Sequence, residues 1–326
     1  MVNTEQATST KGKVLEILRN ADHPVSGSAI AETLDLSRVA VWKAVKSLCE
    51  AGYGIDSGTA GYYLRTDPAD SLNPWEFGAD ERLVRHVPET DSTMTLAREA
   101  ALSSCPDGFI IVADAQTTGR GTGSKRWDSV PGGLFFTMVT RPLLPAAYLH
   151  REVLAAQCAL VRVLTGISGA RAFPGWPNDI LVMTKGGPKK AGGILAESLV
   201  SGNQTVFCNV GVGINTGEGA RDAGYGAIPA GRREILAAFR REFSRTRLAD
   251  DSLVEEWNSL CPDVDRVVRV LIHEPETTER ELVFRGVDTM GFARFESPNA
   301  STPETERIIH RYPPGGASIL DKGRLS

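Results

Sequence analysis

The chain has 326 residues, of which 41% are hydrophobic and 23% are charged, and its net charge is −4. These values are typical of a globular protein of two or three domains. No apolar run approaches the roughly 18 residues of a membrane span, and the first residues lack the pattern of a signal peptide. The small negative charge excludes a globally basic surface, so any contact with nucleic acid has to be local.

The cysteines predict neither a zinc site nor a disulfide framework, because they are far apart, odd in number and contain no Cys-x2-Cys pair. We therefore expect a reducing, cytoplasmic location. The five residues are Cys49, Cys105, Cys158, Cys208 and Cys261.

The first 65 residues predict three helices followed by a hairpin. Apolar residues recur at helical spacing over 11–21, and Ser26 begins a second short helix. Ser37 caps a third helix over 38–49, and a hairpin with a glycine-rich tip follows over 55–64. The candidate apolar positions of the third helix are Val39, Val41, Trp42, Val45 and Leu48. This order predicts a winged helix-turn-helix domain over residues 1–65.

The third helix is the element that would enter the DNA major groove, with Ser37, Arg38, Lys43 and Lys46 available for contact. Residues 1–65 contain seven basic and seven acidic side chains, and neutralisation of phosphates supplies much of the affinity for DNA. We therefore expect weak binding by one copy, and a dimer would add a second half-site. The alternative is a winged helix used only for protein contacts.

The rest of the chain divides into three parts. Residues 66–79 are rich in Pro, Asp and Asn, which predicts a linker. Residues 80–264 alternate strand and helix patterns, with a hairpin of 194–199 and 205–212 across residues 201–203, which predicts an α+β domain with a mixed sheet. Residues 265–326 predict a small β domain, because short strand patterns alternate with polar turns. Its strand candidates are 267–272, 281–284, 293–295 and 307–310.

A glycine-rich basic loop, QTTGRGTGSKRW over residues 116–127, lies at the centre of the α+β region. Apolar runs at 109–113 and 133–139 make the segment a strand–loop–strand. Glycines allow a backbone to approach a ligand closely, and bare N–H groups among cations favour an anion. The alternative is a surface hairpin with solvated charges. The loop matches neither a Walker A motif nor a dinucleotide-binding fingerprint.

Three further motifs accompany this loop. Asp91, Ser92 or Thr93 caps a predicted helix over 94–103, whose first N–H groups would suit an anion or a polar ligand head. The second motif is Trp-Pro-Asn-Asp at 176–179. The third consists of two stretches, KKAGGILAE at 189–197 and NVGVGIN at 209–215.

In this order, over residues 89–215, the motifs resemble those of the biotin protein ligases. Residues 36–43, LSRVAVWK, are similar to the DNA-reading module of biotin ligases that also act as biotin-operon repressors. The resemblance implies a mixed-sheet ligase domain of the biotin/lipoate type over 80–264 and an SH3-like β-barrel over 265–326.

The resemblance also implies site residues. Lys190 and Arg120 would be catalytic, and Asp179 would hold Mg²⁺, because a hard cation prefers carboxylate oxygen. The biotin-binding set would be Ser92, Thr93, Gln116, Arg120, Gly121, Thr122 and Lys190. The set for ATP or the adenylate would be Gly119, Arg120, Trp127, Asn178, Asp179 and Asn215.

The chain departs from the family pattern at several positions. The family loop usually reads Gly-Arg-Gly-Arg-x-Gly-Arg-x-Trp, whereas here Thr122, Ser124 and Lys125 replace an arginine, a glycine and an arginine. Gly175 stands where a basic residue usually precedes Trp-Pro-Asn-Asp, and Met94 replaces an asparagine. Two cations are thus missing, so we expect weaker binding of ATP or weaker retention of the intermediate.

The implied function is an ATP-dependent biotin ligase that makes biotinyl-5′-AMP and transfers biotin to a lysine of a biotin carboxyl carrier protein. The resemblance also implies a biotin-responsive repressor that binds operator DNA as a ligand-promoted homodimer. The alternative is a regulator that senses biotin, or a related acyl acid, with little or no catalysis.

Overall fold

The computed structural model describes residues 8–142, 144–247, 252–273, 276–298, 309–320 and 322. The chain divides into two compact units, residues 1–86 and residues 87–326. Within the described ranges, no helix is both long enough and apolar enough to cross a bilayer.

The predicted helix-turn-helix domain is confirmed in the first unit. The hydroxyls of Ser26 and Ser37 accept hydrogen bonds from the Ala29 and Ala40 N–H groups at 3.1 Å, so both serines cap helices as expected. The elements are α1 (Thr10–Arg19), α2 (Gly27–Leu34), α3 (Arg38–Glu50), β1 (Gly54–Gly58) and β2 (Gly61–Thr66).

Helix α3 corrects two of the apolar positions predicted for it. Val41, Val45 and Leu48 are buried, whereas Val39 is 59% exposed and Trp42 is 52% exposed. A helix on the surface of a core buries one stripe, here at the spacing i, i+4, i+7. Positions 39 and 42 lie off that stripe and share the exposed side with the predicted DNA contacts.

The segment predicted as a linker packs on the winged helix. Trp75 lies in a 3-10 segment over Pro74–Leu83, and its Nε1 donates to the Tyr53 hydroxyl at 3.1 Å. That hydroxyl donates to Glu76, which also accepts from Arg19 Nη2 at 2.9 Å. Burial and the Glu76 carboxylate raise the pKa of Tyr53 to about 12.

A seven-stranded sheet forms the centre of the second unit, in the order β3-β4-β5-β9-β8-β7-β6. The pairs from β4 to β6 in this order are antiparallel, and the predicted β8–β9 hairpin is present. The strands are β3 (Val84–Thr90), β4 (Phe109–Gln116), β5 (Leu134–Thr140), β6 (Ala172–Gly175), β7 (Asp179–Thr184), β8 (Gly187–Ser201) and β9 (Gln204–Ile214).

Helices pack against this sheet and complete the predicted α+β domain. Phe136 of β5 contacts Phe239, which stacks on Phe243 with ring centroids 5.2 Å apart. The helices are α4 (Thr93–Leu102), α5 (His150–Ser168), α6 (Gly217–Asp222), α7 (Arg232–Thr246) and α8 (Ser252–Leu260).

The register of the central strands leaves part of one sheet face without side chains. Gly193 of β8 pairs with Gly213 of β9, and Gly211 lies on the same face because side chains alternate along a strand. Trp127 and Met94 lie over this glycine patch: a Cβ on Gly211 would lie 2.5 Å from the Met94 sulfur, and one on Gly193 would lie 2.9 Å from the Trp127 ring. The patch therefore makes room for side chains and ligand above the sheet.

The C-terminal region forms a five-stranded antiparallel sheet in the order β13-β12-β11-β10-β14. Buried Trp176, directly after β6, joins this region to the central sheet, because its Nε1 donates to the Gly291 carbonyl at 3.3 Å. Closure into an SH3-like barrel stays a prediction, and residues 307–308 of one predicted strand lie outside the described residues. The strands are β10 (Arg266–Ile272), β11 (Thr278–Val287), β12 (Ala293–Glu296), β13 (Ile309–Tyr312) and β14 (Ala317–Ile319).

Candidate functional site

A cavity of about 970 Å³ opens above the glycine patch in the second unit. Its walls come from the start of α4, the glycine-rich loop, strands β7 to β9, the first turns of α5 and the C-terminal sheet. Except for Gly119 and Asn215, every residue predicted to bind biotin or nucleotide lines this cavity.

One end of the cavity is a group of hydrogen-bonding side chains. Gln116 Oε1 accepts from the Thr93 N–H at 2.9 Å and lies 3.2 Å from the Thr93 hydroxyl. Gln116 Nε2 donates to Ser129 at 3.2 Å, and the hydroxyls of Thr93 and Thr137 are 2.9 Å apart. Ser92 caps α4 by accepting from the Met94 N–H at 3.3 Å. Buried groups with fixed partners suit recognition of a small polar head group.

The glycine-rich loop closes on itself. Gly119 and Trp127 are joined by a 2.9 Å hydrogen bond from the Trp127 N–H, and Gly121 donates to the Lys125 carbonyl at 2.9 Å. Arg120 pairs with Arg126 across this narrow ladder. A Cβ on Gly119 would lie 2.8 Å from the Trp127 carbonyl oxygen, so glycine is required there. Thr122 lies at the exposed tip of the loop.

Arg120 is held by a carboxylate at the cavity wall. Its guanidinium contacts Glu197 of β8 through Nη2 at 2.5 Å and Nη1 at 3.2 Å. The Arg120 side chain is 48% exposed, so this ion pair is worth only about 0–1 kcal/mol. Arg120 can therefore exchange Glu197 for an anionic ligand at little cost.

Trp127 forms a lid over the glycine patch, and Lys190 Nζ lies 5.6 Å from its ring centroid. The Trp127 indole N–H is buried and has no hydrogen-bond partner among the described residues. A buried donor without a partner is costly, so a ligand that accepts from it would gain affinity.

Asp179 contacts two lysines at the cavity wall. Lys190 Nζ lies 2.7 Å from Asp179 Oδ1, and Lys322 Nζ contacts Asp179 Oδ2. Burial would raise the pKa of Asp179, but the two lysines outweigh it and lower the pKa below its ordinary value. The carboxylate is therefore ionised at neutral pH, and both lysines are held at the cavity.

Asn178 and Asn215 form hydrogen bonds to the strands beside the cavity. The Asn178 side-chain Nδ2 donates to the Ile194 carbonyl at 2.7 Å, and the Asn215 backbone N–H donates to the Ala191 carbonyl at 2.7 Å. Asn215 Nδ2 lies 3.4 Å from the Lys190 carbonyl. Both asparagines thus position the segment that presents Lys190.

Asp179 is the carboxylate predicted to hold Mg²⁺. Among the described residues there is no group of three or more His, Cys, Asp or Glu side chains able to hold a metal. Both carboxylate oxygens of Asp179 contact lysines, and a cation would have to displace them. Asp179 as a magnesium ligand stays a prediction.

The exposed face of α3 is a separate candidate site in the first unit. Arg38, Lys43 and Lys46 are exposed beside Trp42, and Lys46 Nζ lies 5.7 Å from the Trp42 ring centroid. Ser37 is exposed at the start of the helix but uses its hydroxyl as the cap. The face therefore combines cations with one large apolar side chain.

Comparison with known proteins identifies the two regions. Residues 87–215 match the biotin/lipoate A/B protein ligase family, and residues 11–63 match a helix-turn-helix domain. The segment matched to the biotin/lipoate A/B protein ligase family, which we call the ligase-family domain after this similarity, contains the glycine-rich loop, Lys190 and Asp179.

Two proteins named bifunctional ligase/repressor BirA are similar to this chain. The chain is 33% identical over 205 residues to the bifunctional ligase/repressor BirA of Bacillus spizizenii, a match that covers 61% of this chain and 62% of that protein. It is 26% identical over 314 residues to BirA of Escherichia coli, which covers 89% and 94%. The match to the Bacillus relatives thus spans less than two thirds of their length.

A solved structure shares the fold of the ligase-family domain. The biotin protein ligase from Aquifex aeolicus in complex with biotin and ATP has a TM-score of 0.55 and 21% identity. The similarity covers 73% of this chain and 98% of that one.

Sequence reasoning missed three polar residues at or near the cavity. Thr137 lies within an apolar strand pattern, and Glu197 has the appearance of a surface carboxylate. Lys322 reaches Asp179 from 143 residues away, and the sequence contains no signal for a contact so distant. Of the three, only Thr137 could have been noticed in the sequence, because it is a polar residue within an apolar strand.

Proposed function

We propose that the chain is an ATP-dependent biotin protein ligase that also binds operator DNA. The observation that carries this proposal is one cavity in which a polar recognition end, a closing glycine-rich loop and the cations Arg120 and Lys190 converge. The family of residues 87–215 and the printed names of the relatives support it.

The first step joins two anions. A biotin carboxylate oxygen attacks the α-phosphorus of ATP, the bond to the β-phosphate oxygen breaks, and pyrophosphate leaves. Fixed cations and N–H donors stabilise the charge that develops at these atoms. Lys190 donates to the carboxylate, and Arg120 with the backbone of Gly121 and Thr122 covers the carboxylate and the α-phosphate.

The rest of the cavity orients the two substrates. Ser92, Thr93 and Gln116 bind the ureido ring of biotin, which needs both donors and acceptors. Trp127 packs near the adenylate and offers its unpartnered indole N–H, while Asn178, Asp179, Gly119 and Asn215 shape the nucleotide side. Magnesium enters with ATP, whose phosphates it would neutralise.

The second step transfers biotin. An uncharged lysine amine of the carrier protein attacks the carbonyl carbon of biotinyl-5′-AMP, the carbonyl–oxygen bond to phosphate breaks, and AMP leaves. The mixed anhydride must be kept from water until then. The loop over 116–127 is placed to do this because it lies at the cavity mouth.

We further propose that the adenylate orders this loop and promotes a homodimer, which brings two α3 helices to two DNA half-sites. The exposed Arg38, Lys43 and Lys46 support DNA contact. The repressor role and the SH3-like closure of the C-terminal sheet belong to the same proposal.

Biotin-dependent exchange of labelled pyrophosphate into ATP tests the first step without knowledge of the acceptor. We expect exchange that requires biotin and falls by two to three orders of magnitude in Lys190→Ala. Lys189→Ala is the matched control, because Lys189 is the adjacent but exposed lysine. Biotin binding without exchange would overturn the ligase proposal in favour of a biotin-sensing regulator.

A further inference from the structure

Lys322 is the unassigned cation of the cavity. It comes from the C-terminal region directly after β14, its side chain is 16% exposed, and its Nζ contacts Asp179 Oδ2. It lines the same cavity as Lys190 and Arg120. A lysine buried to this extent needs a charged partner, and Asp179 is that partner.

The Lys322 stem occupies the space beside Gly175. A side chain at position 175 would place its Cβ 3.2 Å from Lys322 Cδ and 2.8 Å from Leu181 Cδ1. Position 175 is where the family pattern has a basic residue before Trp-Pro-Asn-Asp. Lys322 therefore fills the volume that a basic side chain at 175 would use, with a positive charge of its own.

The ion-paired side chains at the cavity wall carry three positive charges and two negative charges. Glu197 neutralises Arg120, and Asp179 can neutralise only one of its two lysines. A structural anchor for Asp179 would need one lysine. The second lysine gives this group of side chains a net positive charge, which attracts a polyanion.

We propose that Lys322 binds the phosphate chain of ATP in place of the basic residue missing at position 175. This inference rests on the proposed function for its nucleotide. ATP contacts Lys322 through its β- or γ-phosphate oxygens, while Asp179 holds the ammonium group in position. The C-terminal sheet thereby contributes a substrate-binding residue to the ligase-family domain.

Titration calorimetry with a non-hydrolysable ATP analogue, and separately with AMP, tests this on the full chain. Lys322→Met removes the charge but keeps most of the stem, and Lys322→Arg keeps the charge. We expect the Met variant to weaken binding of the analogue about 10- to 100-fold, the range of a lost charged hydrogen bond. AMP binding should change less than threefold, and the Arg variant should stay close to wild type.

A second-site rescue distinguishes phosphate binding from structural support. Lys322→Ala empties the space beside Gly175, and Gly175→Lys in the same protein places a new ammonium group from the opposite side. We expect the double variant to regain at least part of the lost affinity for the analogue. Thermal unfolding of each variant checks that the fold is retained.

Equal loss of analogue and AMP binding in Lys322→Met, or no loss of either, would overturn the inference. The outcome is separate from that of the proposed function, because no biotin or turnover is involved. A chain that binds the analogue through Lys322 but shows no biotin-dependent exchange would refute the ligase proposal and leave this inference standing. A chain that binds no nucleotide would refute both.

Discussion

The cavity and the exposed face of α3 both present cations, but they hold them differently. In the cavity, Arg120, Lys190 and Lys322 each contact a carboxylate. On α3, the side chains of Arg38 and Lys43 are exposed to solvent, and the ion pair between Lys46 and Glu50 spans 3.9 Å with both side chains more than half exposed.

The difference teaches what each surface is suited to do. A cation held by a carboxylate at the cavity wall is in place before its ligand arrives, which favours catalysis at fixed distances. A solvated cation can follow a phosphate backbone but is screened by salt. The cavity therefore holds its cations at fixed positions, whereas the cations on α3 are suited to attracting a polyanion from a distance.

The largest effect should come from disturbing position in the cavity. Gly213→Ala places a Cβ against the Trp127 ring, which moves the indole and with it the neighbour of Lys190. We expect nucleotide binding to weaken about 10- to 100-fold, the effect of 1–3 kcal/mol of overpacking. Gly166→Ala is the control, because its Cβ would meet nothing within 4 Å. An equal effect of both substitutions would contradict the role of the glycine patch.

Removing a buried hydroxyl at the recognition end should have the next largest effect. Thr137→Val leaves the Thr93 hydroxyl without this partner, and the loss of about 1–2 kcal/mol corresponds to a 5- to 30-fold rise in KM for biotin. KM for ATP should not change. Thr137→Ser keeps the hydroxyl and should stay close to wild type, and a similar rise in both KM values would point to a general loss of structure.

On α3 the expected effect depends on salt rather than on position. Lys43→Ala should weaken DNA binding about 3- to 10-fold at low salt and reduce the slope of log K against log salt by about 1. Titration of DNA binding at several salt concentrations measures this. Lys189→Ala makes the same charge change outside the helix-turn-helix and should leave the slope unaltered. An unchanged slope in both variants would favour a winged helix used for protein contacts.

The smallest effect should come from removing the carboxylate partner of Arg120, which would leave this cation solvated like those on α3. Glu197→Gln removes the carboxylate partner of Arg120 and frees the guanidinium for an anionic ligand. Because the pair is half-exposed and worth about 0–1 kcal/mol, we expect adenylate affinity to rise by no more than about fivefold. Calorimetry with a stable adenylate analogue measures the change. A loss of affinity would show that Glu197 orients Arg120 productively.

The sequence predicted elements with strong local signals. Ser26 and Ser37 cap helices because their hydroxyls replace the missing intrahelical partners, and the β8–β9 hairpin follows from alternating apolar residues around Gly202. The glycine-rich loop lines the cavity, but its glycines and cations alone also allowed a surface hairpin, and only the ordered set of motifs favoured a ligand site.

The rest of the site depends on contacts that local patterns do not encode. The position of Lys322 depends on docking of the C-terminal sheet, and the Trp-Pro-Asn-Asp motif that contains Trp176 does not reveal the contact of its indole with Gly291. Trp42 was predicted as an apolar core position, because helical spacing alone does not say which of two stripes faces the core. Tertiary packing decided both cases.

The attachment of Trp75 and Glu76 to the winged helix has a practical consequence for dissecting this protein. A fragment that ends at residue 65 would leave Tyr53 and the Arg19 guanidinium without the partners they have in the intact chain. A fragment that extends through residue 83 would keep them. The shorter fragment should therefore melt at a lower temperature and misrepresent the DNA-binding strength of the whole protein, whereas the longer one is the sound choice for studying that half alone.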